Sequence, residues 1–256
     1  MKTTRVVFYS NLIRQLVKSD FKLRYQGSVL GIMWSFLRPL LMFGVLYLVF
    51  SYFVRFDIPH YQLYLLLGVI IWNFFSEASL TSVFSLVNKA GLIKKVDFPK
   101  GAIVVSATLV SFLNFLLNFL VFIIIFFLSG EKISATAIWF TFLVFLLFFT
   151  ALGFGFLLAA LNSKWKDIGH LWELLLQMGF WLTPVVYSRN MISEAYDWIF
   201  EINPLATIID VSRRVLIFDD APDVNLVIKL IFQVVLVLVV GYYVFWKRQK
   251  YFAEEL

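Results

Sequence analysis

From Ala102 to Leu128 the chain runs without a single charged residue, and the stretch from Ala135 to Leu161 does the same. Wound as a helix, a run of that length exceeds the roughly 30 Å hydrocarbon core of a bilayer. Hydrophobic residues make up 61% of the chain and charged residues 15%, with 30 phenylalanines, which is far more apolar than a water-soluble domain. Lipid offers the backbone no hydrogen-bond partner, so only helices and closed barrels span it. The runs are continuous rather than alternating, and the fold class expected is all-α and membrane-embedded.

Six transmembrane helices are expected, at Met33–Val54, Tyr61–Leu86, Ala102–Leu128, Ala135–Leu161, Leu171–Tyr187 and Leu226–Trp246. With both termini in the cytoplasm, 16 of the Lys and Arg residues fall inside, and Arg55, Lys132, Arg189, Arg213, Arg214 and Lys229 fall outside. That is the asymmetry by which loops orient a membrane protein. It also accounts for the net charge of +6, so the basic balance reports topology and not nucleic-acid binding. Trp34, Trp139, Trp165, Trp172 and Trp246 stand near the expected span ends, where amphipathic rings suit an interface.

The first thirty residues carry repeated charges and no early apolar core, unlike a signal peptide. Val6, Tyr9, Ile13, Leu16, Val17 and Phe21 recur at helical spacing, with Arg14, Lys18 and Lys22 on another face. This pattern predicts an amphipathic helix lying on the cytoplasmic leaflet, its cations toward lipid headgroups. Gly27 and Gly31 let the chain turn upward, and Pro39 is expected in the first turns of the span, where a missing donor is tolerated. Between spans five and six, the apolar positions from Ile192 to Phe200 and from Leu205 to Leu216 predict two short outer helices that dip into the leaflet. Asn203-Pro204 should separate them, and Thr183-Pro184 should end the fifth span.

No chemistry-bearing motif is present. The chain has no cysteine, no Gly-Lys dipeptide of a phosphate-cradling loop and no Gly-x-Ser-x-Gly elbow. His60 and His170 are isolated, so no catalytic, metal or cofactor site is expected. Any energy source must lie in another protein. Polar residues inside the spans carry more information, because lipid penalises them. Glu77 suits either a transport role or an interhelical hydrogen bond, while Ser111, Asn114 and Asn118 share a face and suit bonding between helices. Phe36, Phe43, Tyr47 and Phe50 share a face of the first span, and Trp181 and Tyr187 lie on the fifth. Such rings pack against lipid or stack on sugars.

The basic interruption from Asn88 to Lys100 differs from a solvated loop. It mixes Leu92, Ile93, Val96 and Phe98 with Lys94 and Lys95, which suits a short amphipathic helix docking in a groove of another protein.

Lys22-Leu23-Arg24-Tyr25, Ser28-Val29-Leu30-Gly31 and Trp34-Ser35-Phe36-Leu37-Arg38-Pro39-Leu40 resemble the amino-terminal signature of permease subunits of type-2 ABC exporters for lipid-linked polysaccharides such as O antigen, capsule and teichoic acid. Leu92-Ile93-Lys94-Lys95-Val96-Asp97-Phe98-Pro99 resembles their coupling helix, and Lys166-Asp167-Ile168-Gly169, Asn203-Pro204 and the Phe252–Leu256 end also fit. The resemblance covers nearly the whole chain. It implies one transmembrane domain over residues 1–256: an interfacial and gate region (1–32), spans one to five (33–187) with the coupling loop (88–100), outer gate helices (188–225), then span six and a cytoplasmic tail (226–256). It implies a non-enzymatic channel subunit in the bacterial inner membrane, pairing with a second copy and with two ABC ATPases that bind the ATP and Mg. Leu92, Ile93, Lys94, Lys95, Asp97, Phe98 and Pro99 would meet the ATPase, and Arg24 and Tyr25 the lipid phosphate or pyrophosphate. Phe36, Phe43, Tyr47, Phe50, Trp181 and Tyr187 would line the channel. The rival readings are a small-molecule or drug exporter of the same plan, and an ATP-independent channel or scramblase.

Overall fold

The structure is a computed structural model that describes residues 2–54 and 56–256 and, of residues 2–8 and 194, the backbone alone. The charges of Lys2, Arg5 and Arg55 and the apolar side chain of Val6 therefore lie outside the described residues. Every regular element among the described residues is helical. Helix α1 (Lys2–Tyr25) leads through Gly27 and Gly31 into α2 (Trp34–Leu48), which a π-turn at Val49–Phe53 extends. Both glycines have positive φ, +80° and +50°, which is what redirecting the chain here requires of them. Then come α3 (Tyr61–Asn88), α4 (Ala90–Lys95), α5 (Gly101–Leu128), α6 (Ile138–Lys164) and α7 (Ile168–Leu182). The chain continues through α8 (Asp197–Ile202), α9 (Pro204–Ile217), α10 (Val224–Arg248) and α11 (Phe252–Glu255).

Among the described residues, five segments are long and apolar enough to cross a membrane: Gly31–Phe53, Tyr61–Asn88, Gly101–Leu128, Ala135–Lys164 and Val224–Arg248. The expected fifth span is different. Helix α7 has 15 residues, which makes it about 22 Å long at 1.5 Å per residue. It begins at Ile168, and it stops at Leu182 rather than Tyr187 because Pro184 forces Thr183 into an extended conformation (φ −95°, ψ 139°). Val185 and Val186 are buried beyond the helix end, so their apolar character belongs to an irregular segment.

Helix α3 is the axis of the bundle, buried along most of its length and packed against α5, α6 and α9. Helices α6 and α10 approach backbone to backbone. A Cβ on Gly241 would lie 2.1 Å from the Gly153 carbonyl oxygen, and one on Gly153 would lie 2.9 Å from the Leu238 backbone. Small residues give this backbone-to-backbone contact, by which helices associate in lipid without a hydrophobic driving force. Helix α1 lies along α5 with Leu16 buried and Ile13, Val17 and Phe21 partly covered.

Pro39 lies in the first turns of α2, as expected, but past the first turn, where a helical donor is missed. It has no N–H to give to the Ser35 carbonyl one turn back. The Asn118 amide on α5 supplies that donor at 3.0 Å and also bonds the Asn114 carbonyl at 2.8 Å. Outside the long helices, Asn203 breaks the chain between α8 and α9 and caps α9, its side chain accepting from the Leu205 N–H at 3.0 Å.

Candidate functional site

Three regions gather the residues singled out by the sequence. At the junction of α1 with the bundle, Arg24 donates from Nη1 to Glu77 of α3. Asn114 of α5 donates to the same carboxylate oxygen at 2.8 Å, and the Tyr25 hydroxyl donates to Asn114 Oδ1 at 2.9 Å. Glu77 is thus the anion on which α1, α3 and α5 converge, with Arg24 as its partner. Thr81 extends the network, donating to the Glu77 carbonyl at 2.7 Å and approaching Ser111 Oγ at 3.3 Å. Beside this cluster a groove of about 1100 Å³ runs between α1 and α5, with Arg14, Lys18, Lys22, Phe21 and Tyr25 on one wall and Phe112 on the other. The walls are mainly apolar, and among the described residues the three cations have no ion-pair partner.

The second region is α4. Its expected contact residues divide between two faces. Leu92, Lys94, Lys95, Val96 and Asp97 are exposed, whereas Ile93 and Phe98 are buried in the chain's own core and Pro99 is partly covered. That core joins Leu86, Ile103, Phe156 and Phe245 with Phe252 of α11. The same mixture of side chains that suggested one docking surface therefore makes an outward face and an inward anchor.

The third region is aromatic, at the other end of α3. Phe43 stacks on Tyr47 (centroids 5.7 Å apart), Tyr47 on Tyr61 (6.3 Å) and Tyr61 on Tyr64 (6.3 Å). Phe36, Phe43, Tyr47 and Phe50 are half-buried, and the open face of α2 carries Trp34, Leu41, Val45, Leu48 and Tyr52 instead. Trp181 of α7 is exposed, and its carbonyl accepts from the Tyr187 hydroxyl at 2.9 Å. The Tyr187 and Val186 carbonyls accept from Tyr64 (3.2 Å) and Tyr61 (3.0 Å), tying the segment after α7 to α3.

Arg213, one of the cations expected on the outer side, completes this region. It is 1% exposed. Its guanidinium donates to the carbonyls of Tyr64 (3.0 Å), Pro184 (2.6 Å) and Val185 (2.6 Å) and lies 3.5 Å from the centre of the Tyr64 ring. Pro184 and Val185 lie beyond the last turn of α7, and Arg213 reaches from α9 to hold this non-helical segment by its carbonyls. In the loop before α8, Arg189 makes a two-pronged contact with Asp197 (Nε to Oδ1 2.6 Å). That hydrogen bond holds the Asp197 carboxyl below its usual range and the Arg189 guanidinium above its own.

Residues 11–217 match the ABC-2 type transporter family. The chain is 32% identical over 248 residues to an O-antigen export system permease protein RfbA of Klebsiella pneumoniae, covering 96% of this chain and 95% of that protein. A second Klebsiella pneumoniae protein of that name is 31% identical over the same shares. One from Myxococcus xanthus is 26% identical over 250 residues, 97% of this chain and 96% of the relative. The chain belongs to the ABC-2 type transporter family. As an ABC-2 chain it is a multi-pass membrane transporter subunit that works with an ATPase partner.

Two features of this ABC-2 chain escaped sequence reasoning. Arg213 was counted only as an outer cation beside Arg214 on the second outer helix, and its sequence signal of burial is its place among Ile208, Ile209, Val211 and Val215. Phe252 was noted only as part of a terminal signature, although it is fully buried against the core that anchors α4.

Proposed function

We propose that the chain is the channel-forming permease of an ATP-driven exporter that moves lipid-linked polysaccharide of the O-antigen type across the bacterial cytoplasmic membrane. The observation that carries this reading is the end-to-end match to permeases of that name, 96% of this chain against 95% of the relative. A match over a shared domain alone would leave the small-molecule exporter of the same plan equally open. The α4 surface, with Leu92, Lys94 and Lys95 exposed on one short helix and Val96 exposed just after it, supports contact with a separate ATPase, which a freestanding channel or scramblase would not need. In this reading two copies assemble with two ATPases, which hold the ATP and Mg. Both termini are cytoplasmic, and α7 with the segment to Tyr187 makes a sixth crossing. Helices α8 and α9 form the outer gate.

Arg24 and Tyr25 receive the phosphate or pyrophosphate of the lipid carrier. A guanidinium has five N–H donors, and Glu77 engages Arg24 through Nη1, so donors remain for a second anion. Glu77 holds Arg24 at the end of the groove between lipid visits, and the arriving headgroup competes for it. Of the six rings Trp181 is the most open to the sugar chain, while Phe43 and Tyr47 are engaged in the chain's own stack and Phe36, Phe50 and Tyr187 offer only their uncovered edges.

The decisive experiment deletes the gene in its own host and restores it as wild type, Arg24→Lys, Arg24→Ala or Glu77→Gln, scoring polymer at the cell surface and ATPase co-purification. Deletion should abolish surface polymer and leave lipid-linked polymer inside. Arg24→Ala should reduce export more than Arg24→Lys, since Lys keeps the charge without the planar fork. Normal surface polymer in the deletion strain would reject the substrate class, and a permease purified without any ATPase would favour the channel reading.

A further inference from the structure

We propose that α11 is a strut that carries movement of α4 into the bundle, with Phe252 as its positioning residue. The inference rests on α4 being the ATPase-contacting helix. A helix of six residues holds few hydrogen bonds of its own, so its neighbours set its stiffness. Besides α3, from which it continues, α4 packs against α11. Along the chain, α4 joins α5 only through residues 96–100, of which 96–99 have no regular structure. A push on the exposed face of α4 is transmitted poorly by that extended tether and well by a close-packed interior.

The packed route is explicit. Ile93 and Phe98 share one core with Phe252, which is fully buried. The Phe252 ring is 5.2 Å from Phe245 of α10, and Phe245 is 5.0 Å from Phe156 of α6. On its polar side Glu255 accepts from Arg248 at 2.7 and 3.0 Å and from the Ser163 hydroxyl at 3.0 Å. One short turn is therefore fixed to the last turns of α6 and α10 while touching the anchor of α4. Helices α6 and α10 meet backbone to backbone at Gly153 and Gly241, so they move as one body. Load on Leu92, Lys94 and Val96 reaches that body through Ile93, Phe98 and Phe252.

The test reconstitutes the permease with its ATPase in proteoliposomes and reads ATPase association, ATP hydrolysis and polymer exported per ATP. Phe252→Ala should keep association and hydrolysis but lower export per ATP by about 2- to 30-fold, the range for residues that carry coupling between sites. Phe252→Leu, which restores apolar volume, should recover most of it. Glu255→Ala cuts the tie to Arg248 and Ser163 without opening the core, so it should act in the same direction with an unchanged thermal midpoint. It decides the matter if Phe252→Ala does not fold. Wild-type export per ATP in Glu255→Ala and in folded Phe252→Ala overturns the strut. Leu92→Ala with Val96→Ala separates the two readings: if that pair loses the ATPase, the coupling surface stands whatever the strut does. If the pair changes nothing, the coupling reading itself fails and the strut falls with it.

Discussion

The Arg213 guanidinium fills the space that a side chain at residue 68 would need: a Cβ on Gly68 would lie 2.3 Å from Arg213 Nη2. The same Cβ would lie 2.8 Å from the Val185 carbonyl that Arg213 binds. Gly68 and Arg213 are thus two halves of one device, a gap in α3 and the cation that enters it to hold the chain beyond α7.

Gly68→Ala should therefore push the arginine off its carbonyls, costing about 1–3 kcal/mol as an overpacked core site does. Arg213→Met should cost more, because it leaves the buried Pro184 and Val185 carbonyls unpaired, at about 1–3 kcal/mol each, while the Tyr64 carbonyl keeps its place in the α3 hydrogen-bond ladder. The midpoint of thermal unfolding of the purified permease in detergent measures both. If the arginine variant melts with the wild type, the clamp is not holding the α7 end.

Pro39 and Asn118 make a second matched pair, since the asparagine fills the hydrogen bond that the proline leaves open at Ser35. Asn118→Ala should destabilise by about 0.6–1.7 kcal/mol, the measured scale for polar contacts between membrane helices. Pro39→Ala in the same chain restores a backbone donor and should recover part of that loss. The prediction is a non-additive double-mutant cycle in thermal midpoints. Additive effects would mean that the Asn118 amide does not serve the Ser35 carbonyl.

What the sequence revealed here is what local physics decides. The uncharged runs, the turn at Gly27 and Gly31 and the break at Asn203-Pro204 each depend on a few adjacent residues, and each is found in the structure. Glu77 was visibly anomalous, yet its partner Arg24 lies 53 positions away and no local pattern pairs them. Arg213 reaches Tyr64 across 149 positions, and no local pattern shows that this outer cation is buried. Loop 88–100 had the amphipathic composition of a contact helix, but which side turns inward depends on Phe252, more than 150 positions later. The fifth helix was carried past Leu182 because Val185 and Val186 are apolar, and tertiary burial satisfies apolar residues as well as lipid does.

Because α4 has two faces, its substitutions should separate into two phenotypes. Phe98→Ala removes a ring only 7% exposed, and should cost stability at the scale of about 3–5 kcal/mol seen for buried phenylalanine. Leu92→Ala and Val96→Ala lie outside and should leave the thermal midpoint within about 0.5 kcal/mol of wild type while weakening ATPase capture. Pull-down of the ATPase beside a melting curve reads both quantities on one preparation. Equal loss of stability from inner and outer variants would refute the division.

The aromatic lining is best tested at Trp181. Tyr47 stacks on both Phe43 and Tyr61, so replacing it disturbs the chain's own packing whether or not sugar ever touches it. Trp181 is 56% exposed and makes its nearest ring contact with Phe180, at 5.1 Å, so much of its surface is free for lipid, a second copy or the polymer. Trp181→Leu keeps an apolar surface for lipid but removes the ring face that stacks on a sugar, whereas Trp181→Phe keeps a smaller face. If Trp181 lines the path, export should fall in the order wild type, Phe, Leu, with unchanged thermal midpoint and ATPase association. The Leu variant should lose about 2- to 10-fold, corresponding to the 0.5–1.5 kcal/mol scale of an aromatic contact beyond its area. Surface polymer counted at limiting expression checks the order. Wild-type export from Trp181→Leu would assign this ring to lipid, and loss of co-purifying second copy would assign it to the subunit interface.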